Sequence, residues 1–353
     1  MSKNVFIVAG DPSGDLHGAN LVRKLKEKDP SIDIACLGGK ELSDAGANLV
    51  MNLVDDAVVG FTEVLAHLPS IIQAYQAALS VAKRSDLVIL IDYPGFNLRL
   101  AKSIVKMKNP PKILYYIAPQ VWAWHQSRAK LMSEIIDKIA VVFPFETDWF
   151  SNSEFVGHPL MDLETPEPDE EFKNSRVAAL LPGSRRKEIS RHVGVLSQCA
   201  TRLKKLGYRP VMSIADPKLI EQFRDIDCEL YSGDARRLLA SSEIAIVKSG
   251  TSTMQAALIG IPFVTIYRLS WLSYTLGKLL VKLQHIAMPN ILLQRDLIPE
   301  LIQSDATPDK IIDALTNLDH DELKSEFRRL RTILGEDGSA ERTADICIEM
   351  LPN

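Results

Sequence analysis

The chain has 353 residues, 46% hydrophobic and 24% charged, with 18 Gly and 19 Pro, a composition that excludes collagen-like, coiled-coil and disordered chains and allows a large buried core. Its 41 basic and 45 acidic residues leave a net charge of −4, without the basic excess of a general nucleic-acid binder, so no nucleic-acid partner is expected. The four cysteines, Cys36, Cys199, Cys228 and Cys347, form no CxxC, which excludes a zinc knuckle or redox dithiol and points to a reducing compartment.

In chain order, the apolar run Val5 to Ala9 is followed by a helical stretch Leu16 to Lys28, a run Ile32 to Leu37, a long periodic segment Glu63 to Lys83 and the run Leu87 to Ile91. A helix after Phe96 and strands Lys112 to Ile117 and Lys138 to Phe143 complete a βαβ rhythm whose continuous apolar strands suit a parallel sheet covered on both faces. From Met161 to Ser175 the chain turns acidic and proline-bearing, which predicts a linker and two domains, 1–165 and 166–353. A second series follows, with strands Val177 to Leu181, Pro210 to Ile214, Glu229 to Tyr231, Glu243 to Val247 and Pro262 to Ile266, and a helix over Val193 to Lys205. The predicted class is α/β, two Rossmann-like doubly wound domains facing a cleft, with a helical tail from Pro308. That tail can return to the first domain or swap onto a second copy, and a homodimer stays open. Val5 to Ala9 is too short for a signal-peptide core, and no run approaches about 18 apolar residues, so a cytoplasmic chain that spans no membrane is expected.

Ligands of open α/β sheets bind beyond the carboxyl ends of the strands, and five motifs occupy such positions. Gly10-Asp11-Pro12-Ser13-Gly14-Asp15 follows the first strand; its glycines admit a close ligand, while Ser13 and Asp15 also suit helix capping. Asp92 ends a strand before Tyr93-Pro94-Gly95-Phe96-Asn97, a seat for a general base or for a helix cap. Trp122 and Trp124 in Pro119 to His125 offer stacking faces and N–H donors for a sugar or acyl chain, or pack between domains. Gly183-Ser184-Arg185 opens a helix after Leu181 without the Walker A ending, and Arg185 suits a diphosphate. Ser249-Gly250-Thr251-Ser252 opens another, with Gln255 one turn in, towards a ribose. A sixth segment, Arg268 to Lys282, mixes Trp271, Tyr274 and leucines with Lys278 and Lys282, as an interfacial helix or as a core helix. The seven histidines show no HExxH and no cluster with Cys or carboxylate, so no metal or cofactor is expected.

Together and in this order, AGDPSGD, IDYPGFN, PQVWAW, PFE at Pro144 to Glu146, VGHPL at Val156 to Leu160, LPGSR, KSGTSTMQAAL and PNIL at Pro289 to Leu292 resemble the lipid-A-disaccharide synthase family, inverting glycosyltransferases of the glycosyltransferase B fold. The resemblance implies transfer from UDP-2,3-diacylglucosamine to 2,3-diacylglucosamine 1-phosphate (lipid X), giving a β-1,6-linked disaccharide and UDP in lipid A biosynthesis at the inner-leaflet membrane surface. It implies Asp92 as the base, a UDP site at Gly183, Ser184, Arg185, Ser249, Gly250, Thr251, Ser252 and Gln255, and acceptor contacts at Ser13, Gly14, Asp15, Asn97, Trp122 and Asn290. The chain departs from the family at Asp11 and Gln255, where the family carries Glu, and at Gly95, where it carries Asp; Gln255 puts the ribose contact in question. A different UDP-sugar transferase or 2-epimerase, and a non-catalytic lipid- or nucleotide-binding relative, remain the alternatives.

Overall fold

The computed structural model describes residues 3–54, 68–122, 126–224, 226–270 and 284–352. These form two compact units, Met1–Leu163 with Leu334–Asn353, and Glu164–Ile333. Among the described residues no helix is long and apolar enough to cross a membrane.

The first unit is one parallel sheet of β1 (Asn4–Ala9), β2 (Asp33–Gly38), β3 (Asn48–Asn52), β4 (Leu87–Ile91), β5 (Lys112–Tyr116), β6 (Lys138–Val141) and β7 (Ser153–Phe155), ordered β3-β2-β1-β4-β5-β6-β7. Its helices are α1 (Pro12–Lys28), α2 (Lys40–Asp44), α3 (Leu68–Ala82), α4 (Pro94–Ile104), α5 (Ser127–Ile135) and α12 (Ser339–Met350). The uninterrupted apolar strands read as they do because both faces are buried: Phe6, Val8, Val88, Leu90 and Tyr115 share one core with Ala74 and Ala78 of α3 and Leu100 and Ile104 of α4. On the other face Tyr116 bonds Ser339 of α12 at 3.0 Å.

The second unit repeats the plan with β8 (Val177–Leu181), β9 (Arg209–Ser213), β10 (Glu229–Tyr231), β11 (Ser242–Lys248), β12 (Phe263–Tyr267) and β13 (Glu300–Ile302), all parallel and ordered β10-β9-β8-β11-β12-β13. Its helices are α6 (Arg186–Lys205), α7 (Ala235–Ala240), α8 (Thr251–Ile259), α9 (Met288–Leu293), α10 (Pro308–Thr316) and α11 (His320–Leu334).

Each sheet therefore has one point where the strand order reverses, between β1 and β4 and between β8 and β11. At such a switch point the connections leave in opposite directions and open a crevice beyond the strand ends, the usual ligand position in this architecture. The register brings Ala9 beside Ile91 and Leu181 beside Val247, so Gly10 adjoins Asp92 and Pro182 adjoins Lys248 at the two reversals.

The edge strands β3, β7 and β13 are not anticipated by the pattern of apolar runs; nearly all their residues are half-buried or exposed, so no continuous apolar run marks them. Helix α6 starts at Arg186, directly after the Gly183-Ser184-Arg185 turn expected to open a helix, and runs through the expected Val193 to Lys205 stretch. The acidic stretch after Met161 is no free linker. Its Asp169 accepts from Tyr231 Oη at 2.9 Å, its backbone N–H donates to Ser241 Oγ at 2.8 Å, and Phe172 is buried within the second unit beside Tyr231 and Arg209.

Candidate functional site

The loop after β1 enters α1 through Asp11, whose carboxylate accepts from the Gly14 N–H at 2.7 Å, with Pro12 at the first helical position. Asp11 is thus the cap, rather than Ser13 or Asp15. Asp15, 3% exposed, instead accepts from the N–H groups of Gly39 at 2.7 Å and Glu41 at 2.9 Å and caps α2. Both its oxygens are committed to backbone, so its role is to fasten the loop after β2. Ser13 and Gly14 form the first turn of α1, where helix N–H groups lack helical acceptors.

The loop after β4 carries unusual backbone. Asp92 and Tyr93 are successive non-glycine residues with positive φ, 41° and 46°, each costing on the order of 1 to 3 kcal/mol unless its surroundings enforce it. Three contacts do so: the Asp92 N–H donates to the Tyr116 carbonyl at 3.1 Å, while its own carbonyl accepts from Tyr115 Oη at 2.5 Å and Asn97 Nδ2 at 2.8 Å. Asn97 Nδ2 also reaches the Ile91 carbonyl at 3.1 Å. The N-cap of α4 is Tyr93 without a side-chain cap bond, so Asp92 does not serve as the cap, and its half-buried carboxylate belongs to the strand end. Asn97 is 0% exposed; the acceptor contact expected of it gives way to a positioning role on the Asp92 backbone. At Gly95 a Cβ would meet open space, so a carboxylate is sterically admissible there.

Trp122 does not offer its indole N–H to a ligand as expected: it donates to Glu146 Oε1 at 3.1 Å, and the ring stands edge-on to Phe145. Glu146, 0% exposed, also takes the N–H groups of Val142 and Phe143 on Oε2. Burial pushes its carboxyl up to about 7 in spite of these donors. Trp124 and the segment 271–283, including Trp271, lie outside the described residues.

In the second unit, Gly183, with φ 112°, turns the chain out of β8 and Arg185 stands at the N-cap of α6. Arg185 and Ser184 are exposed. Ser249 closes the sheet, its N–H on the Ile266 carbonyl at 3.0 Å and its hydroxyl on the Ile286 carbonyl at 3.0 Å. Gly250, with φ 147°, is the N-cap of α8, whose first turn is Thr251, Ser252 and Thr253, with Gln255 half-buried one turn in. Two helix N-termini therefore open at one switch point, a setting that favours an anion. Asn290, 0% exposed, holds the chain after α9: it donates to the Ile298 carbonyl and Glu300 and accepts from Leu297 and Ile298. All four of its hydrogen-bonding positions are filled, which replaces the substrate contact expected of it.

Lys248, the first residue of KSGTSTMQAAL, and Glu188, three residues beyond LPGSR, carry no assigned role in the sequence reading and join this centre. Lys248 Nζ donates to Glu188 Oε1 at 2.9 Å, and Arg185 reaches the same oxygen at 3.3 Å. Burial works to raise the Glu188 carboxyl, but the charges and hydrogen bonds of Lys248 and then Arg185 outweigh it and leave it below the usual range. Burial, partly offset by Glu188, lowers Lys248. The sequence signal for Lys248 is its place at a strand end directly before a glycine turn.

A family profile described as Lipid-A-disaccharide synthetase matches residues 5–347. A Lipid-A-disaccharide synthase of Geobacter sulfurreducens is 37% identical across 99% of this chain and 98% of its own length, and one of Syntrophus aciditrophicus is 37% identical with the same coverage. Among solved structures, a kitacinnamycin glycotransferase superposes with a TM-score of 0.69 at 13% identity, covering 99% of both chains. A UDP-GlcNAc 2-epimerase from Neisseria meningitidis bound to UDP-GlcNAc gives 0.66 at 11% identity, covering 99% of this chain and 100% of that one. These two likenesses concern fold alone, two parallel-sheet α/β domains of the glycosyltransferase B type.

Proposed function

Because the chain belongs to the lipid-A-disaccharide synthase family, we propose that its two strand-order reversals divide one glycosyl transfer, with Asp92 as the base and the loops after β8 and β11 as the seat of the departing diphosphate. The family reaction joins UDP-2,3-diacylglucosamine to 2,3-diacylglucosamine 1-phosphate and releases UDP in lipid A biosynthesis. Asp92 takes the proton of the acceptor 6-hydroxyl as that oxygen attacks the anomeric carbon from the face opposite UDP, which inverts the centre and forms the β-1,6 bond. General-base help of this kind contributes roughly 10² to 10⁴ in rate. The diphosphate accumulates charge as its bond to the sugar lengthens, and Arg185 with the N–H groups that open α8 stabilises it there. Gln255 is assigned to the ribose hydroxyls.

The observation that carries this reading is the pair of left-handed residues at the reversal between β1 and β4: strain of that size persists where it holds a side chain for use. Asp92→Asn tests it, in an assay of UDP release from acylated donor plus acceptor phosphate. Turnover is expected to fall by roughly 10² to 10⁴, with UDP affinity unchanged; full activity would remove Asp92 from the mechanism.

Both substrates carry acyl chains and partition into bilayers, so the enzyme docks on an anionic inner-leaflet surface. The aromatic and leucine residues alternating with lysines in 268–282 suit such contact. Flotation with anionic vesicles is expected to recover the chain and to recover less of the Trp271→Glu variant; equal recovery would exclude this segment as the contact.

A further inference from the structure

We propose that Lys248 is a further ligand of the diphosphate, donating to a phosphoryl oxygen beside Arg185; the inference rests on the second unit's being the UDP side. Gly183 and Gly250, the positive-φ glycines that open the two loops, both stand against this lysine. A Cβ on Gly183 would lie 3.4 Å from Lys248 Cδ and 2.6 Å from Glu188 Oε2, and one on Gly250 would lie 3.4 Å from Lys248 Nζ. The turns that open α6 and α8 thus both pass close to one lysine side chain, Gly183 at its Cδ and Gly250 at its Nζ.

An ammonium carries three N–H donors, and Glu188 takes one of them at 2.9 Å. The Glu188 carboxylate serves as the counter-charge that lets a cation stay this far from water: the Lys248 and Glu188 side chains are 13% and 15% exposed, against 50% for Arg185. Two cations and one anion leave the group one positive charge, which suits the arrival of a doubly charged diphosphate. A charged hydrogen bond formed at Lys248 is also screened less than one formed at the exposed Arg185.

Calorimetric titration of the full chain with UDP and with uridine separates a phosphate contact from a structural one. Lys248→Met is expected to weaken UDP binding roughly 10- to 100-fold while leaving uridine binding unchanged, and Lys248→Arg to recover part of the loss. Removing the lysine alone leaves the Glu188 carboxylate only the longer contact with the exposed Arg185 and can unfold the unit, so Lys248→Met is also combined with Glu188→Gln, which removes that charge. The double variant is expected to keep the wild-type melting temperature and show the same selective loss. Wild-type UDP affinity in the double variant overturns the proposal, as does an equal loss for UDP and uridine. A wild-type chain that binds UDP no better than uridine refutes the broader assignment of the diphosphate to this unit, and the proposal with it.

Discussion

The ring of Tyr93 lies directly over the α-carbon of Gly10: a Cβ added at Gly10 would stand 2.2 Å from Tyr93 Cδ1 and 2.5 Å from Cε1. Glycine is required here for space, since the loop after β1 must pass beneath a ring that the left-handed Tyr93 backbone projects towards it. Gly10→Ala is therefore expected to displace Tyr93 and loosen the backbone of Asp92. We expect a loss of about 1 to 3 kcal/mol in urea unfolding, as for other overpacked sites, and a drop in kcat larger than any change in KM. Adding Tyr93→Ala should restore much of the stability. If the two losses simply add, the ring and the glycine are not coupled.

Asn97 acts on the same turn from below. With Asn97→Ala the Ile91 and Asp92 carbonyls lose a shared donor inside the unit, an omission that costs about 1 to 3 kcal/mol. The expected signature is a fall in kcat beyond what the lost stability explains, measured well below the melting temperature, with UDP affinity untouched. Unchanged turnover in a folded variant would mean that Asp92 keeps its geometry without the amide.

The main strands of both sheets are legible as apolar runs because a parallel strand covered on both faces leaves no polar alternation, and the motifs are legible because each follows such a run. The roles inside the motifs are less so. Asp15, Asn97, Trp122 and Asn290 are polar or amphipathic groups next to glycine turns, and nothing local distinguishes one that faces a ligand from one that fastens a neighbouring loop. What decides is the partner: for Asp15 and Trp122 it lies 24 positions away, at Gly39 and Glu146, while Asn97 turns back onto Ile91 and Asp92 and Asn290 forward onto Ile298 and Glu300, which only the folded loop shows. Lys248 and Glu188 escape for the same reason, being 60 positions apart.

Asp162 accepts from the N–H groups of Gly338, Ser339 and Ala340, each at 2.8 Å, and so caps α12 from the far end of the sequence. A carboxylate at a helix N-terminus also meets the positive end of the dipole. Asp162→Ala is expected to cost about 2 kcal/mol, the upper end for a lost cap, and to expose the last helix to proteolysis ahead of the rest of the first unit. Asp162→Asn, which keeps an acceptor, should cost less. Cleavage elsewhere first would show that Tyr116 and the ion pairs of Lys28 with Glu341 and Asp345 hold α12 without the cap.

Glu146 makes stability depend on pH in a way that can be isolated. Burial raises its carboxyl from the ordinary 4.5 to about 7, so between those values the folded chain holds a proton that the unfolded chain has released. Stability from this group is full below about 4.5, declines as pH rises and is gone above about 7, a span worth about 3 kcal/mol. His17, pushed down to about 4 by burial, and His158, pushed down to about 3 by burial and then by His17, act in the opposite sense. Their contribution is present above about 6.5 and is lost as pH falls towards those lowered values. The raw profile mixes both slopes, but the difference between wild type and Glu146→Gln in urea unfolding cancels the histidines. That difference should favour wild type increasingly as pH drops from 7 to 4.5. A difference that stays constant over the range would show that the donors from Trp122, Val142 and Phe143 keep Glu146 ionised throughout.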